Sequence, residues 1–189
     1  MKGENGSIPA FARDILQTLE GAGHEAYCVG GCVRDTLLGR TPGDWDITTS
    51  ARPEETLALF GADAFPTGLR HGTVTVRRPD GSAEVTTFRR DGDYTDHRHP
   101  ESVAFTDSLT EDLARRDFTV NAMALSLRGE LRDPFHGRED LAAGRIRCVG
   151  EPARRFGEDA LRILRGLRFA AVLGFAIEPE TAAAPSAAR

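Results

Sequence analysis

Between Tyr27 and Ser50 the chain reads YCVGGCVRDTLLGRTPGDWDITTS, and this stretch restricts the possible folds more than any other part of the sequence. The short apolar run 26–29 predicts a strand. Gly30 and Gly31 interrupt it, and a helical pattern follows over 32–38. Strand, glycine turn and helix in that order suit an anion. Glycines allow close backbone approach, and the helix N-terminus presents free amides and the positive end of a dipole. The same letters also fit an ordinary turn. Asp44, Trp45, Asp46 and Ile47 predict a second strand, on which Asp44 and Asp46 point to one face. Alone, that pair also fits a polar strand edge facing solvent. Beside a phosphate cradle, two hard oxygen donors suit Mg²⁺, which favours one or two carboxylates together with substrate phosphates. The combination points to two-metal phosphoryl or nucleotidyl transfer.

A chain of 189 residues accommodates one catalytic domain with a small appendage. Hydrophobic residues make up 40% and charged residues 28%, ordinary values for a soluble globular protein, and no apolar run reaches the length of a membrane span. The N-terminal MKGENGSIPAF lacks the apolar segment of a secretory signal. Cys28, Cys32 and Cys148 form no paired framework, which predicts a reducing, cytoplasmic setting; the first two fit core filling better than metal binding. The net charge of −5 excludes a uniformly basic nucleic-acid binder. Yet Lys2 is the only lysine among 24 basic residues. Arginine's planar fork suits phosphate and base edges, although a genomic bias would yield the same count.

Residues 9–19 have the spacing of an amphipathic helix, 54–60 of a short one, and 62–66 of a brief strand. The β-rich runs 73–77 and 84–89 flank Pro79, Asp80 and Gly81 and predict a hairpin, bringing the sheet to about five strands. Glu84 is the one acid inside these strands, either a third metal carboxylate or a solvated side chain. The polar stretch 90–107 predicts a long loop; its His97, His99, Asp93 and Asp96 match no common metal-site spacing. Residues 108–115 predict a helix with Ser108 as N-cap and Glu111 completing a capping box. Arg115 to Ala122 follow, fitting either a helix junction whose arginines cover a carboxylate surface or an arginine beside a triphosphate. A turn around Asp133 and Pro134, a helix at 139–143 and a strand at 146–149 come next. Residues 154–173 then read as one helix. On it, Asp159, Arg162 and Arg165 share a face, as an ion-pair ladder or as a binding surface.

These motifs carry a resemblance. Gly30, Gly31, Arg34, Asp35, Leu38, Gly39, Asp44 and Asp46 are similar to the first signature of the class II tRNA nucleotidyltransferases, the CCA-adding enzymes, and their bacterial poly(A) polymerase relatives. Thr67, Gly68, His71 to Val74 and Glu84 to Arg89 resemble that family's middle strands, Arg115 to Ala122 its second signature, and Glu158, Asp159, Arg162 and Arg165 its nucleotide-selecting helix. The resemblance implies an α+β fold: a nucleotidyltransferase head of the DNA polymerase β type over 1–150, with a mixed, largely antiparallel sheet flanked by helices, and the start of a helical neck over 151–189, body and tail being absent. It implies Mg²⁺ on Asp44 and Asp46. Gly30, Gly31, Arg34 and Arg116 would lie near the phosphates, with Asp159, Arg162, Arg165 and Arg168 on the incoming nucleotide.

The implied activity is template-independent addition of C and A to the 3′ end of tRNA from CTP and ATP. A carboxylate accepts from the exocyclic amine of C or A and a guanidinium donates to the neighbouring ring acceptor. Uracil would turn a carbonyl toward the carboxylate, leaving buried groups unpaired at a cost of about 1–3 kcal/mol each. The T-G-x-x-H-G-T-V-T-V strand and the long loop after Arg89 favour CCA addition over a poly(A) polymerase, and the loop favours it over a relative adding only CC; a relative adding only A is an alternative. A non-catalytic fragment that binds nucleotide or RNA is the alternative from another class.

Overall fold

Four apolar residues of the first helix set the position of the sheet. The computed structural model describes residues 8–92 and 103–186. Helix α1 (Ala10–Gly21) buries Ala12, Ile15, Leu16 and Leu19 completely, in the core that also holds Ile47, Val74, Val76 and Val85. Each large aliphatic side chain so buried stabilises the fold by about 1.5–3 kcal/mol. Strand β1 (Ala26–Val29) leaves this packing for the glycine turn, α2 (Gly31–Leu37) follows, and β2 (Asp46–Thr49) returns antiparallel to β1, pairing Val29 with Asp46.

After α3 (Pro53–Phe60) come β3 (Ala64–Gly68), β4 (Thr73–Arg78) and β5 (Gly81–Thr87), the last two forming the expected hairpin. Strand β5 lies parallel to β2 and sets Glu84 beside Asp46. The sheet runs β3-β4-β5-β2-β1-β8-β9, and β2·β5 is its one parallel pair. It has seven strands where the sequence predicts about five. The additions are β8 (Ala124–Leu125) and β9 (Leu131–Arg132), which at two residues each are too short to display an alternating pattern.

The stretch expected to be a long loop begins and ends as a ribbon. Strand β6 (Arg89–Asp91) pairs antiparallel with β7 (Val103–Phe105). His97, His99, Asp93 and Asp96 lie outside the described residues. Ser108 caps α4 (Leu109–Ala114) by accepting from the Glu111 amide at 3.4 Å. Helix α5 (Gly137–Ala142) precedes β10 (Arg145–Ile146), which stands where the strand 146–149 is expected and pairs with β11 (Ala176–Ile177) outside the main sheet.

The single helix expected over 154–173 is two. Helix α6 (Pro152–Glu158) stops because Asp159 adopts an extended backbone (φ −142°, ψ 105°), and its Oδ1 accepts from the Leu161 amide at 2.9 Å to open α7 (Leu161–Leu173). A short acceptor side chain competing with the helical ladder is the physical cause. Helix α7 ends at Gly174, in the left-handed region, ahead of α8 (Pro179–Ala183). Among the described residues no helix is long and apolar enough to cross a membrane.

Candidate active site

The site begins where β1 gives way to α2. Gly30 has φ +81°, and a Cβ there would lie 3.3 Å from Nη1 of Arg116. Only glycine suits both the conformation and the approach. Across the turn, β2 starts at Asp46, two residues later than expected, so Asp44 lies just before the strand. Asp44 is exposed and Asp46 half-buried. Burial, the neighbouring Asp44 carboxylate and Glu84 push the Asp46 pKa up to about 6, while Arg116 opposes them. Among the described residues the Asp44 and Asp46 side chains make no hydrogen bond or ion pair.

Behind Asp46, Asp112 is fully buried and saturated with donors. Its Oδ1 accepts from Arg115 Nε at 2.9 Å and the Arg89 amide at 3.3 Å, and its Oδ2 from the Thr48 hydroxyl at 3.0 Å and Arg116 Nη2 at 3.4 Å. Burial raises its pKa, but the two guanidinium groups outweigh that and leave it below the ordinary carboxylate value.

A second chain of contacts ties α2 to α7. Arg34 forms a two-pronged pair with Asp35 and donates to Asn121 Oδ1 at 2.7 Å; Asn121 donates to Asp117, and Asp117 Oδ2 accepts from Arg165 Nε at 2.7 Å. The Phe169 ring lies 5.3 Å from the Arg34 guanidinium and 5.4 Å from that of Arg165. On α6, Glu158 accepts from Arg154, Arg155 and Arg162, the last at 2.8 Å. Arg155 in turn donates to the Arg115 and Arg116 carbonyls.

Most of the arginines and acids described so far line one cleft of about 640 Å³. It brings together Gly30, Gly31, Arg34, Asp44, Asp46, Arg116, Asp159, Arg162, Arg165 and Arg168, the ten residues singled out from the sequence. They come from β1–β2, the end of α4, and α6–α7. Asp159 and Arg162 share the cleft, and the Arg162 amide donates to the Asp159 carbonyl at 3.1 Å. The cleft also contains His71, Arg89, Asp91, Arg115, Asp117, Asn121 and Phe169, none of which the sequence reading named as a site residue. Asp117 and Asn121 stand four apart inside the second signature and His71 lies in the T-G-x-x-H-G motif, so these carry a signal; Phe169 has no comparable mark. A cavity of about 700 Å³ adjoins the cleft at Asp91 and Arg115, but it contains neither the aspartate pair nor the glycine turn. No group of three or more acids, histidines or cysteines is gathered to hold a metal among the described residues; Glu84, next to Asp46 in register, is exposed and adds to the negative charge acting on it.

Comparison with known proteins agrees with this geometry. Residues 26–147 match the family described as the poly A polymerase head domain. The CCA-adding enzyme of Lactobacillus helveticus is 55% identical over 170 residues, 90% of this chain and 42% of that protein. The crystal structure of the Bacillus stearothermophilus CCA-adding enzyme in complex with CTP superposes with a TM-score of 0.86 at 48% identity, over 94% of this chain and 43% of the other. A tRNA nucleotidyltransferase complexed with a primer tRNA and an incoming ATP analog gives 0.73 at 35% identity, over 92% and 49%. The chain thus spans less than half the length of these relatives. It belongs to the poly A polymerase head domain family, the tRNA nucleotidyltransferase and poly(A) polymerase group whose signatures its sequence carries.

Proposed function

We propose that this chain is a tRNA nucleotidyltransferase head, 1–150, with the start of a neck, 151–189, that adds C and A to a tRNA 3′ end from CTP and ATP. The observation that carries the reading is the bare carboxylate pair, Asp44 and Asp46, facing a cleft that seven arginines line. The donor set fits Mg²⁺: two hard oxygens without a protein cation, one of them with a pKa raised by burial and its acidic neighbours, leave room for substrate phosphates to complete the shell. When bound there, Mg²⁺ would activate the RNA 3′-hydroxyl and neutralise charge on the triphosphate and the leaving pyrophosphate.

The chain's own residues supply the rest. The Gly30–Gly31 turn lets the triphosphate approach the backbone, and Arg34 and Arg116 offset its charge as it builds. Asp159 offers an acceptor and Arg162 donors to the base edge, with Arg165 and Arg168 beside them. Arg162 is pre-set by Glu158 and the Arg155 carbonyl, so little side-chain freedom is lost on binding. The similarity to enzymes solved with CTP and with primer tRNA plus an ATP analog supports the substrate class.

Incubating tRNA ending in CC with labelled ATP, and tRNA lacking CCA with CTP, UTP and GTP in turn, tests this. The expected result is incorporation of C and A alone, abolished by D44A/D46A. Product formation that survives the double substitution would sink the reading.

A further inference from the structure

The cleft holds seven arginines, yet none pairs with Asp44 or Asp46. Other acids hold six of the seven, Asp91 taking Arg89. Asp35 takes Arg34, Asp117 takes Arg165, Glu158 takes Arg162, and Asp112 takes both Arg115 and Arg116. Of these acids, Asp112 is tied to β2, the strand that begins at Asp46. It is held by Thr48, two positions along β2 from Asp46 and on the same face of the strand. Four donors on its two oxygens prevent the carboxylate from turning away.

Arg116 is anchored far more weakly. Among the described residues its one side-chain hydrogen bond is the 3.4 Å contact to Asp112, and its buried Nε has no partner. Its head lies against the Gly30 turn, in the same cleft as Asp46.

We propose that Asp112 is a positioning residue that holds Arg116 on the cleft wall, and so keeps the Asp44–Asp46 pair open to a divalent cation instead of closed by an internal ion pair. The inference rests on the reading of Asp44 and Asp46 as metal carboxylates. A guanidinium that loses Asp112 moves to the remaining anions within reach, and Asp46 already acts on it electrostatically. Arg116 then competes with the cation. The arginine that aids the triphosphate becomes an inhibitor of metal binding, and the difference is one buried carboxylate.

The test is cation binding by the 189-residue chain, without substrate. Trp45, the only tryptophan, lies between the two aspartates, so energy transfer from it to Tb³⁺ reports occupancy at that point. D44N/D46N removes the signal. D112N weakens Tb³⁺ binding by about tenfold or more, the scale on which groups that orient a metal site act. D112N/R116Q restores binding to near the wild-type value, a rescue that a purely structural role of Asp112 does not predict. Unchanged affinity in D112N, or a double variant as weak as D112N, overturns the proposal while the metal reading stands. A Tb³⁺ signal that survives D44N/D46N overturns both. If circular dichroism finds D112N unfolded, R116Q decides alone: affinity at or above wild type supports the proposal, and weaker binding overturns it.

Discussion

Asp117 and Arg165 meet at 2.7 Å across 48 positions of sequence, and through this contact the second signature determines where an arginine of α7 points. Asp117 is buried, whereas half of the Arg165 side chain is exposed. The two ends of the pair therefore differ in what they hold. Asp117 also accepts from the Phe118 amide at 2.8 Å and from Asn121.

Replacing Asp117 by alanine is expected to lower stability by about 1–3 kcal/mol, since it orphans buried donors. Replacing Arg165 by alanine is expected to change stability by less than about 1 kcal/mol, as for an exposed ion-pair partner. Both should raise the KM for nucleotide. Urea denaturation and initial-rate kinetics on the two variants separate the structural share from the binding share.

The raised pKa of Asp46 makes it a liability to the fold. Its folded value, about 6, exceeds the ordinary carboxylate value of 3.8, so the folded state binds the proton more tightly than the unfolded state. Stability therefore falls as pH rises from about 4 to about 6. D46N should be more stable than the parent by about 1–2 kcal/mol at neutral pH, allowing for solvent screening of a half-buried group, with the gain fading below about pH 4. Divalent cations must displace that proton, so their binding should weaken as pH drops through 6. Melting curves of both proteins between pH 4 and 8, alongside cation titrations, measure the two effects.

Gly30 has no acceptable replacement. Alanine would have to adopt φ +81°, at a cost of about 1–2 kcal/mol, and its Cβ would press on Arg116 at 3.3 Å. The expected outcome for G30A is a lower melting temperature together with a loss of turnover larger than the instability explains. Residual activity measured well below the melting temperature tests the second part.

Asp159 serves the backbone and the proposed base contact at once. D159A should cost about 1 kcal/mol through loss of the acceptor for the Leu161 amide. It should also narrow the gap between CTP and UTP incorporation, because uracil no longer meets a carboxylate. Competition assays with the two nucleotides provide the readout; a gap unchanged from the parent would remove Asp159 from base selection.

Much of this arrangement was legible before any coordinates. The strand, glycine turn and helix around Gly30 announce themselves because two glycines between an apolar run and a helical period have few other uses. The α1 helix and the β4–β5 hairpin follow from periodicity alone. What stayed hidden depends on contacts between distant segments. Two-residue strands such as β8 and β9 exist only because a neighbour supplies their hydrogen bonds. The break at Asp159 lies in a stretch whose apolar spacing continues undisturbed through it, and only the carboxylate's choice of the Leu161 amide ends the first helix. Phe169 reads as one more core position of an amphipathic helix. Its place between two guanidinium groups is a product of the tertiary fold.

That ring has a mechanical consequence. Arg34 sits on the sheet side of the cleft and Arg165 on α7, and Phe169, itself on α7, touches both. Any tilt of α7 away from the sheet drags the aromatic face off Arg34 and pulls Arg165 against its tether to Asp117. The gape of the cleft and the aim of its cations are thus one coordinate, and whatever fills the space between them must set both together.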